Sequence, residues 1–181
     1  LASTGAAAVL IGGRTFHSFF SLGILEGGKD RTVEKAIRNG KLIKRLRECE
    51  EIVIDEVSML PGLVLETAEA ISRIARQSDE PWGGIRLVVV GDFAQLPPVT
   101  RNDQRRDWAF THPIWEKSQF KSLCLQTPVR FVDNAFYSAL NSIRLGNMSK
   151  SASEMLNSRL TDERPSDVTH LYPWRNMVQK Y

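Results

Sequence analysis

Hydrophobic positions along the chain follow two different periods. Short apolar runs rich in β-branched residues are typical of buried strands, and longer stretches with apolar residues three or four positions apart are typical of amphipathic helices. The strand pattern, or the end of a strand at the N-terminus, occurs at Leu1–Thr4, Glu51–Glu56, Ile85–Val90, Lys121–Leu125 and Val168–Tyr172. The helix pattern occurs at Ala6–Ile11, Arg31–Glu50 with a break near Gly40, the segment after Pro61-Gly62, Asn134–Leu145, Ser149–Leu160 and from Trp174 onward.

This alternation of strands and helices predicts an α/β domain with a mostly parallel sheet flanked by helices. The best strands are apolar throughout, as expected where helices cover both faces of a parallel sheet. In such sheets the functional groups gather at the carboxyl ends of the strands. Two of the predicted strands end in acidic residues, at Asp55-Glu56 and at Asp92. We therefore expect the functional site at that edge of the sheet.

Composition narrows the class of protein without indicating a function. Of the 181 residues, 42% are hydrophobic and 25% are charged, which excludes a disordered or collagen-like chain. The 24 basic and 21 acidic residues leave a net charge of +3, too small to indicate nucleic-acid binding by itself. Cysteines and histidines show no metal-ligand spacing, and no run reaches the roughly 18–20 apolar residues that cross a bilayer. Because the chain opens at Leu1 as if within a strand, we expect a soluble intracellular piece of a longer protein.

The strongest local signal is Ile52-Val53-Ile54-Asp55-Glu56. A hydrophobic strand that delivers Asp and then Glu at its carboxyl end is the Walker B pattern of nucleotide hydrolases. In that pattern Asp55 would hold Mg²⁺ beside nucleotide phosphates. Glu56 would accept a proton from the attacking water, or orient it. The same letters also describe a strand that runs into a solvated acidic turn, so the pattern alone leaves both interpretations open.

A second polar segment, Gly91–Val99, follows the next good strand. Gly91 allows a tight exit from the strand, and Gln95 is expected close to Asp55 and Glu56. A glutamine at such a place can sense the terminal phosphate of a nucleotide and relay its loss. Pro97-Pro98 stiffens the exit and could carry that movement elsewhere. By composition alone the segment is an ordinary turn.

Two further regions carry candidate groups. Small residues from Ala2 onward would let another backbone approach closely, and the aromatic residues that follow could stack on nucleic-acid bases. Phe16 and His17 could equally be packing residues of the core. Arg130, just beyond the predicted strand at Lys121–Leu125, could reach a transferring phosphoryl group. Without context, however, a single arginine is an ordinary surface residue.

The chain lacks the phosphate-binding loop that a nucleotide hydrolase of this type needs. That loop has the pattern G-x-x-x-x-G-K-[ST], and the one near-match is Gly23–Asp30. Asp30 stands where a hydroxyl residue should be, and Glu26 adds negative charge inside the loop, so both would repel phosphate. We interpret Gly23–Asp30 as a flexible surface loop.

Taken together and in this order, these segments resemble the PIF family of superfamily 1 DNA helicases, which translocate 5′ to 3′ on single strands. The resemblance is carried by Ala2–Gly5 with Gly12–Ser18 (motif Ia), Ile54–Met59 (motif II), Gly91–Val99 (motif III) and the region of Arg130 (motif IV). It implies a RecA-like P-loop NTPase fold. Residues 1–165 would be the first motor domain without its Walker A segment, and residues 166–181 would begin the second.

Matching positions imply a role for each candidate residue. Asp55 would bind Mg²⁺, and Glu56 would be the catalytic base. Gln95 would sense the γ-phosphate of ATP, and Arg130 would contact the same phosphate. The resemblance places three residues along the path of single-stranded DNA: Thr4, Phe16 and His17.

The function implied is that of an ATP-dependent DNA helicase that uses ATP and Mg²⁺, with roles in DNA repair and recombination. Its partners would be single-stranded DNA and forked or structured DNA, with a monomeric motor and no membrane. The compartment would be the bacterial cytoplasm or the eukaryotic nucleus or mitochondrion. A non-catalytic DNA-binding or scaffold module with the same fold is the alternative of a different class. Within the enzyme class, a transposon helicase or a RecD-like nuclease subunit stays open.

Overall fold

The computed structural model describes residues 1–100, 105–130, 132–161 and 167–179. The chain divides into two compact units, Leu1–Gln126 and Thr127–Tyr181. The predicted boundary between residues 165 and 166 falls on residues 162–166, which lie outside the described residues, so that boundary stays a prediction.

The first unit is organised around parallel strand pairing. Strand β1 (Glu51–Ile54) pairs in parallel with β2 (Arg86–Val89), so that Glu51 lies opposite Arg86 and Ile54 opposite Val89. On the other side of β1, Ala2 forms parallel bridges with both Asp55 and Thr15. The N-terminal residues therefore lie beside β1 like the end of a strand, as predicted.

Helices flank this sheet. They are α1 (Gly5–Leu10), α2 (Phe16–Phe20), α3 (Gly28–Ile37), α4 (Gly40–Glu48), α5 (Gly62–Arg76) and α6 (Pro113–Lys117). Short 3₁₀ turns lie at Val57–Met59, Pro81–Gly84 and Ala109–Thr111. The break predicted near Gly40 is confirmed: the Asn39 side-chain oxygen accepts hydrogen bonds from the backbone N–H groups of Lys41 and Leu42, each at 3.2 Å. Asparagine is a favoured N-cap because it satisfies donors that have no partner within the helix.

One face of the sheet and the helices share a single core. Ile52 and Ile54 of β1 are buried there together with apolar side chains of α2, α4 and α5. The other face of the sheet carries Val53, 45% exposed, and Val88, 36% exposed. The prediction of a parallel sheet flanked by helices is confirmed, although the described helices leave these two valines partly exposed.

The second unit contains α7 (Asn134–Arg144), α8 (Lys150–Asn157) and α9 (Arg175–Val178). Asp133 caps α7 by accepting from the N–H groups of Ala135 (2.9 Å) and Phe136 (3.1 Å). Gly146, with φ of +74°, follows the end of α7 in the left-handed conformation that glycine adopts at little cost. The predicted ends of this helix are confirmed to within a residue.

Two predicted strands are wrong. Lys121–Leu125 and Val168–Tyr172 adopt irregular conformations, and Leu125 is 95% exposed. An apolar run becomes a strand only where another strand lies beside it to take its hydrogen bonds, and the described residues place none beside either segment. No helix within the described ranges has both the length and the apolar character needed to cross a membrane.

Candidate active site

The carboxyl ends of β1 and β2 meet at one edge of the sheet. The Val90 N–H donates to the Ile54 carbonyl at 2.8 Å, and the Val57 N–H donates to the Val90 carbonyl at 2.9 Å. From the opposite side of β1, the Ser3 N–H donates to the Asp55 carbonyl at 3.3 Å. Motif Ia, the acidic pair and the start of motif III are thus joined by backbone hydrogen bonds at the edge predicted from the sequence.

Asp55 and Glu56 form a tight turn at this edge, and both are half-buried. Asp55 Oδ1 accepts a hydrogen bond from the Glu56 N–H at 3.0 Å. Glu56 has φ of 54° and ψ of 43°, the left-handed conformation that residues with a side chain rarely adopt. Such a conformation costs about 1–3 kcal/mol and tends to occur where function requires it. Buried Val57 and Ser58 begin the 3₁₀ turn that follows and anchor the strained residue from behind.

Gly91 brings motif III against this turn. A Cβ atom at Gly91 would lie 3.1 Å from the backbone nitrogens of both Val57 and Ser58, closer than most real Cβ contacts. The absence of a side chain therefore allows the chain leaving β2 to pack directly against the residues after Glu56. This close approach is the tertiary reason for the glycine that the sequence places at the end of the strand.

Gln95 is exposed, and its side chain is held by Asp92. Gln95 Nε2 donates to Asp92 Oδ2 at 3.0 Å, and the Gln95 N–H donates to the Asp92 carbonyl at 3.0 Å. The other carboxylate oxygen of Asp92 accepts from the Ala94 N–H at 3.0 Å. Asp92 thus closes a turn that presents Gln95 at the surface, while Pro98 further along the loop is buried.

The acidic pair is suited to a magnesium ion bound to a nucleotide. Among the described residues, Asp55 and Glu56 form no ion pair with a basic side chain. The same residues contain no cluster of three or more His, Cys, Asp or Glu side chains that could hold a metal ion alone. Mg²⁺ is commonly bound by one or two carboxylates and takes its other ligands from water and substrate phosphates. The residues present fit that mode.

The three candidate DNA contacts have different environments. Thr4 is half-buried, and its Oγ1 accepts from the Ala7 N–H at 3.2 Å as the N-cap of α1. Phe16 is 0% exposed, and its ring centroid lies 4.8 Å from that of Phe20. The core covers the Phe16 ring, which favours a packing role, and its place on the DNA path stays a prediction. His17 is half-buried, and burial lowers its pKa, so its neutral form is favoured. A DNA contact by Thr4 or His17 stays a prediction.

Two further residues of the sequence motifs are basic. Arg130 is an exposed residue of the second unit, and its predicted role at the phosphate stays a prediction. Lys29, of the rejected phosphate-loop pattern, lies in the first turn of α3, where its Nζ forms an ion pair with Glu66 Oε1 at 2.8 Å. Engaged with a carboxylate and followed by Asp30, Lys29 is poorly placed to bind phosphate.

The predicted roles leave out three polar residues at this edge: Asp92, Ser3 and Ser58. Asp92 could have been recognised because an aspartate often bonds to backbone groups two or three residues onward in a turn. Ser3 and Ser58 lie on either side of the acidic pair, and their buried hydroxyl oxygens have no hydrogen-bond partner among the residues that the structure describes. Both serines fall within motifs Ia and II, but the sequence does not predict the burial of their hydroxyl groups, since burial depends on how the segments pack.

Solved structures share this fold. The crystal structure of Pif1 helicase from Candida albicans superposes with a TM-score of 0.87 at 34% identity, over 99% of this chain and 41% of that one. A Bacteroides Pif1 helicase, solved in complex with ADP-AlF3 and single-stranded DNA, gives a TM-score of 0.81 at 26% identity, over 99% of this chain and 44% of that one. The fold is therefore the RecA-like α/β fold of these helicases.

Curated relatives agree in sequence. The ATP-dependent DNA helicase Pif1 of Bdellovibrio bacteriovorus is 50% identical over 100% of this chain and 41% of its own length. The helicase RRM3 of Saccharomyces cerevisiae is 36% identical over 98% of this chain and 25% of its own. The chain thus spans at most about two fifths of these relatives. Residues 1–154 match the family described as PIF1-like helicase, and the matched range includes motifs Ia, II and III. The chain belongs to the PIF1-like helicase family.

Proposed function

We propose that this chain forms the first motor domain of an ATP-dependent DNA helicase. The intact protein would couple ATP hydrolysis to 5′-to-3′ translocation on single-stranded DNA and to unwinding of duplex. The observation that carries the proposal is the meeting of the Asp55-Glu56 turn and the Gln95 loop at one edge of a RecA-like sheet. Closure of the two motor domains on ATP, and their opening after hydrolysis, would drive movement along the strand.

Each side chain at this edge has a distinct task in the proposal. Asp55 holds Mg²⁺, which neutralises charge on the phosphates when it is bound. Glu56 accepts the proton of the attacking water. Gln95 hydrogen-bonds to the γ-phosphate and, when the phosphate leaves, returns to its bond with Asp92. Arg130 contacts the same phosphate.

Single-stranded DNA is the proposed track, and forked DNA the proposed substrate for unwinding. One relative was solved with single-stranded DNA, and another solved structure concerns unwinding at forked duplex DNA by two coordinating Pif1 helicases. Binding here would depend on backbone charge and base stacking, with strong salt dependence and little sequence preference. Relatives occur in a bacterium and in eukaryotes, so we propose the bacterial cytoplasm or the nucleus or mitochondrion. A single copy would translocate.

The test uses the complete protein that carries this chain and measures ATP hydrolysis with and without single-stranded DNA. Glu56→Gln keeps the shape of the side chain but removes the base, and should lower DNA-stimulated hydrolysis by about 10²–10⁴-fold. Glu51→Gln is the matched control, because Glu51 lies at the other end of β1 and pairs with Arg86. That variant should stay within about twofold of wild type, since exposed ion pairs contribute little.

Two results would contradict the proposal. Undiminished hydrolysis by Glu56→Gln would remove the assigned base. A protein that binds single-stranded DNA but hydrolyses no ATP would support the non-catalytic module instead.

A further inference from the structure

The loop that presents Gln95 is anchored by the ring of Phe93, which packs at the edge of the core. The Phe93 ring centroid lies 4.8 Å from that of Phe110, 5.5 Å from that of Trp115 and 6.4 Å from that of Trp108. All three contacts are edge-to-face, a geometry that aromatic pairs favour. Leu96, on the far side of Gln95, is 67% exposed. The Phe93 ring therefore ties the Gln95 turn to the core on one side, while buried Pro98 lies on its other side.

The segment that holds Phe93 also holds the start of α5, and we name it the Asp107–Phe110 clasp. The Asp107 carbonyl accepts from the Gly62 N–H at 3.2 Å, and Asp107 Oδ2 accepts from the Leu63 N–H at 2.7 Å. Trp108 forms an antiparallel bridge with Pro61. Pro61 and Gly62 begin the helix that follows the Asp55-Glu56 turn by way of the 3₁₀ turn Val57–Met59. The clasp therefore contacts the chain on both sides of the proposed site.

Resting on the proposed function, we infer that Phe93 is a positioning residue that couples Gln95 to the Asp55-Glu56 turn through the Asp107–Phe110 clasp. Gln95 lies two residues beyond Phe93 in the same turn, so a shift of Gln95 toward a phosphate turns the ring against Trp108 and Phe110. Those two residues are joined to the start of α5 through Asp107 and Pro61. Packed interiors switch between discrete arrangements rather than deforming continuously. The clasp therefore moves with the Phe93 ring and keeps Gln95 and Glu56 correctly positioned relative to each other.

The experiment measures kcat and KM for ATP, with and without single-stranded DNA, in the complete protein. Phe93→Leu keeps an apolar side chain but removes the edge-to-face contacts, and Phe93→Tyr keeps the ring. We expect Phe93→Leu to lower DNA-stimulated kcat by about tenfold, since small misplacements of reacting groups cost up to about 10²-fold. KM for ATP should change less than about twofold, because ATP binding does not require this relative position of Gln95 and Glu56. Phe93→Tyr should restore kcat to within about twofold of wild type.

Phe120→Leu is the matched control. The Phe120 ring packs on Trp115 with centroids 4.8 Å apart, at the outer end of the same aromatic group, and makes no ring contact with Phe93. This variant loses a similar contact without touching the loop, so its kcat should equal that of wild type. The double variant Phe93→Leu/Phe110→Leu should lose no more than Phe93→Leu alone, because both side chains belong to the same path between Gln95 and the start of α5.

Three outcomes would overturn the inference. They are an unchanged kcat in Phe93→Leu, a kcat loss in Phe120→Leu of the same size, and losses in the double variant that add independently. Wild-type protein and Glu56→Gln measured alongside separate the two proposals. A wild type without DNA-stimulated hydrolysis overturns both, whereas an active wild type with an unaffected Phe93→Leu overturns the positioning role alone.

Discussion

Substitution of Phe16 by a smaller residue tests whether Phe16 stabilises the core or contacts DNA. The Phe16 ring is 0% exposed and packs on Phe20, whose own ring lies 6.4 Å from buried Trp82. The Phe16 N–H also donates to the Ala2 carbonyl at 2.8 Å, which ties α2 to the strand end beside β1. Removal of the ring therefore leaves a cavity behind motif Ia and should not remove a surface contact.

The size of the effect follows from this burial. Phe→Ala at a fully buried position costs about 3–5 kcal/mol, a large part of the roughly 5–15 kcal/mol that stabilises a domain. At about 2–4 °C per kcal/mol for a chain of this length, the midpoint of thermal unfolding should fall by about 6–20 °C. Phe16→Leu conserves more volume and should cost about 1–1.5 kcal/mol. Leu10→Ala is the control, because Leu10 is 86% exposed and its truncation should cost less than about 0.5 kcal/mol.

Two measurements decide between the roles. Urea unfolding followed by tryptophan emission gives the free energy of unfolding, and fluorescence anisotropy at fixed salt gives the affinity for single-stranded DNA. Phe16→Leu should bind DNA within about twofold of wild type. The reasoning is refuted if Phe16→Leu keeps its stability but loses about tenfold in DNA affinity, the loss expected when one stacked base is released.

Three further predictions follow from the packing. Burial lowers the pKa of His17, so the unfolded chain binds more protons than the folded chain, and the free energy of unfolding should fall as pH drops through 6.5 toward the folded pKa. Urea unfolding at a series of pH values should show a smaller fall in His17→Gln. An equal fall would contradict the assignment. Gly62→Ala should lower the free energy of unfolding in urea by about 1–3 kcal/mol, because its Cβ would lie 2.3 Å from His112 Cβ. Gly40 is also the first residue of a helix but has open space around it, so Gly40→Ala should be neutral or stabilising. Equal effects of the two substitutions would refute the steric account. Arg76 donates to the carbonyls of Gly83, Leu46, Arg47 and Cys49. Arg76→Lys should therefore cost about 1–3 kcal/mol of stability in thermal unfolding, since one ammonium group cannot reproduce the planar guanidinium fork. Arg38→Lys, in an exposed pair with Glu34, is the control, and similar losses in both variants would count against the claim.

Several local features could be predicted from the sequence because they depend on residues that are adjacent in the chain. The break at Gly40 and the end of α7 before Gly146 depend on caps and backbone preferences of adjacent residues. The acidic pair after β1 and the glycine after β2 could be located by their spacing, because parallel strands bring their carboxyl ends to one edge. Family motifs at those positions then indicated the chemistry.

Other features depend on residues far apart in the chain. Lys121–Leu125 has the composition of a strand, but the described part of the chain places no strand beside it. Phe16 has the residue type of a base-stacking side chain, but the core covers its ring. Asp107 satisfies the N-terminus of α5 from 44 residues away, and Glu56 takes a left-handed backbone that its side chain alone disfavours. Strand pairing, burial and strain are decided by contacts between distant segments, whose free energies outweigh the preferences of single residues. The amino-acid sequence alone thus determined which chemical groups are present and at which edge of the sheet they lie. Packing determined which of these groups can reach a ligand.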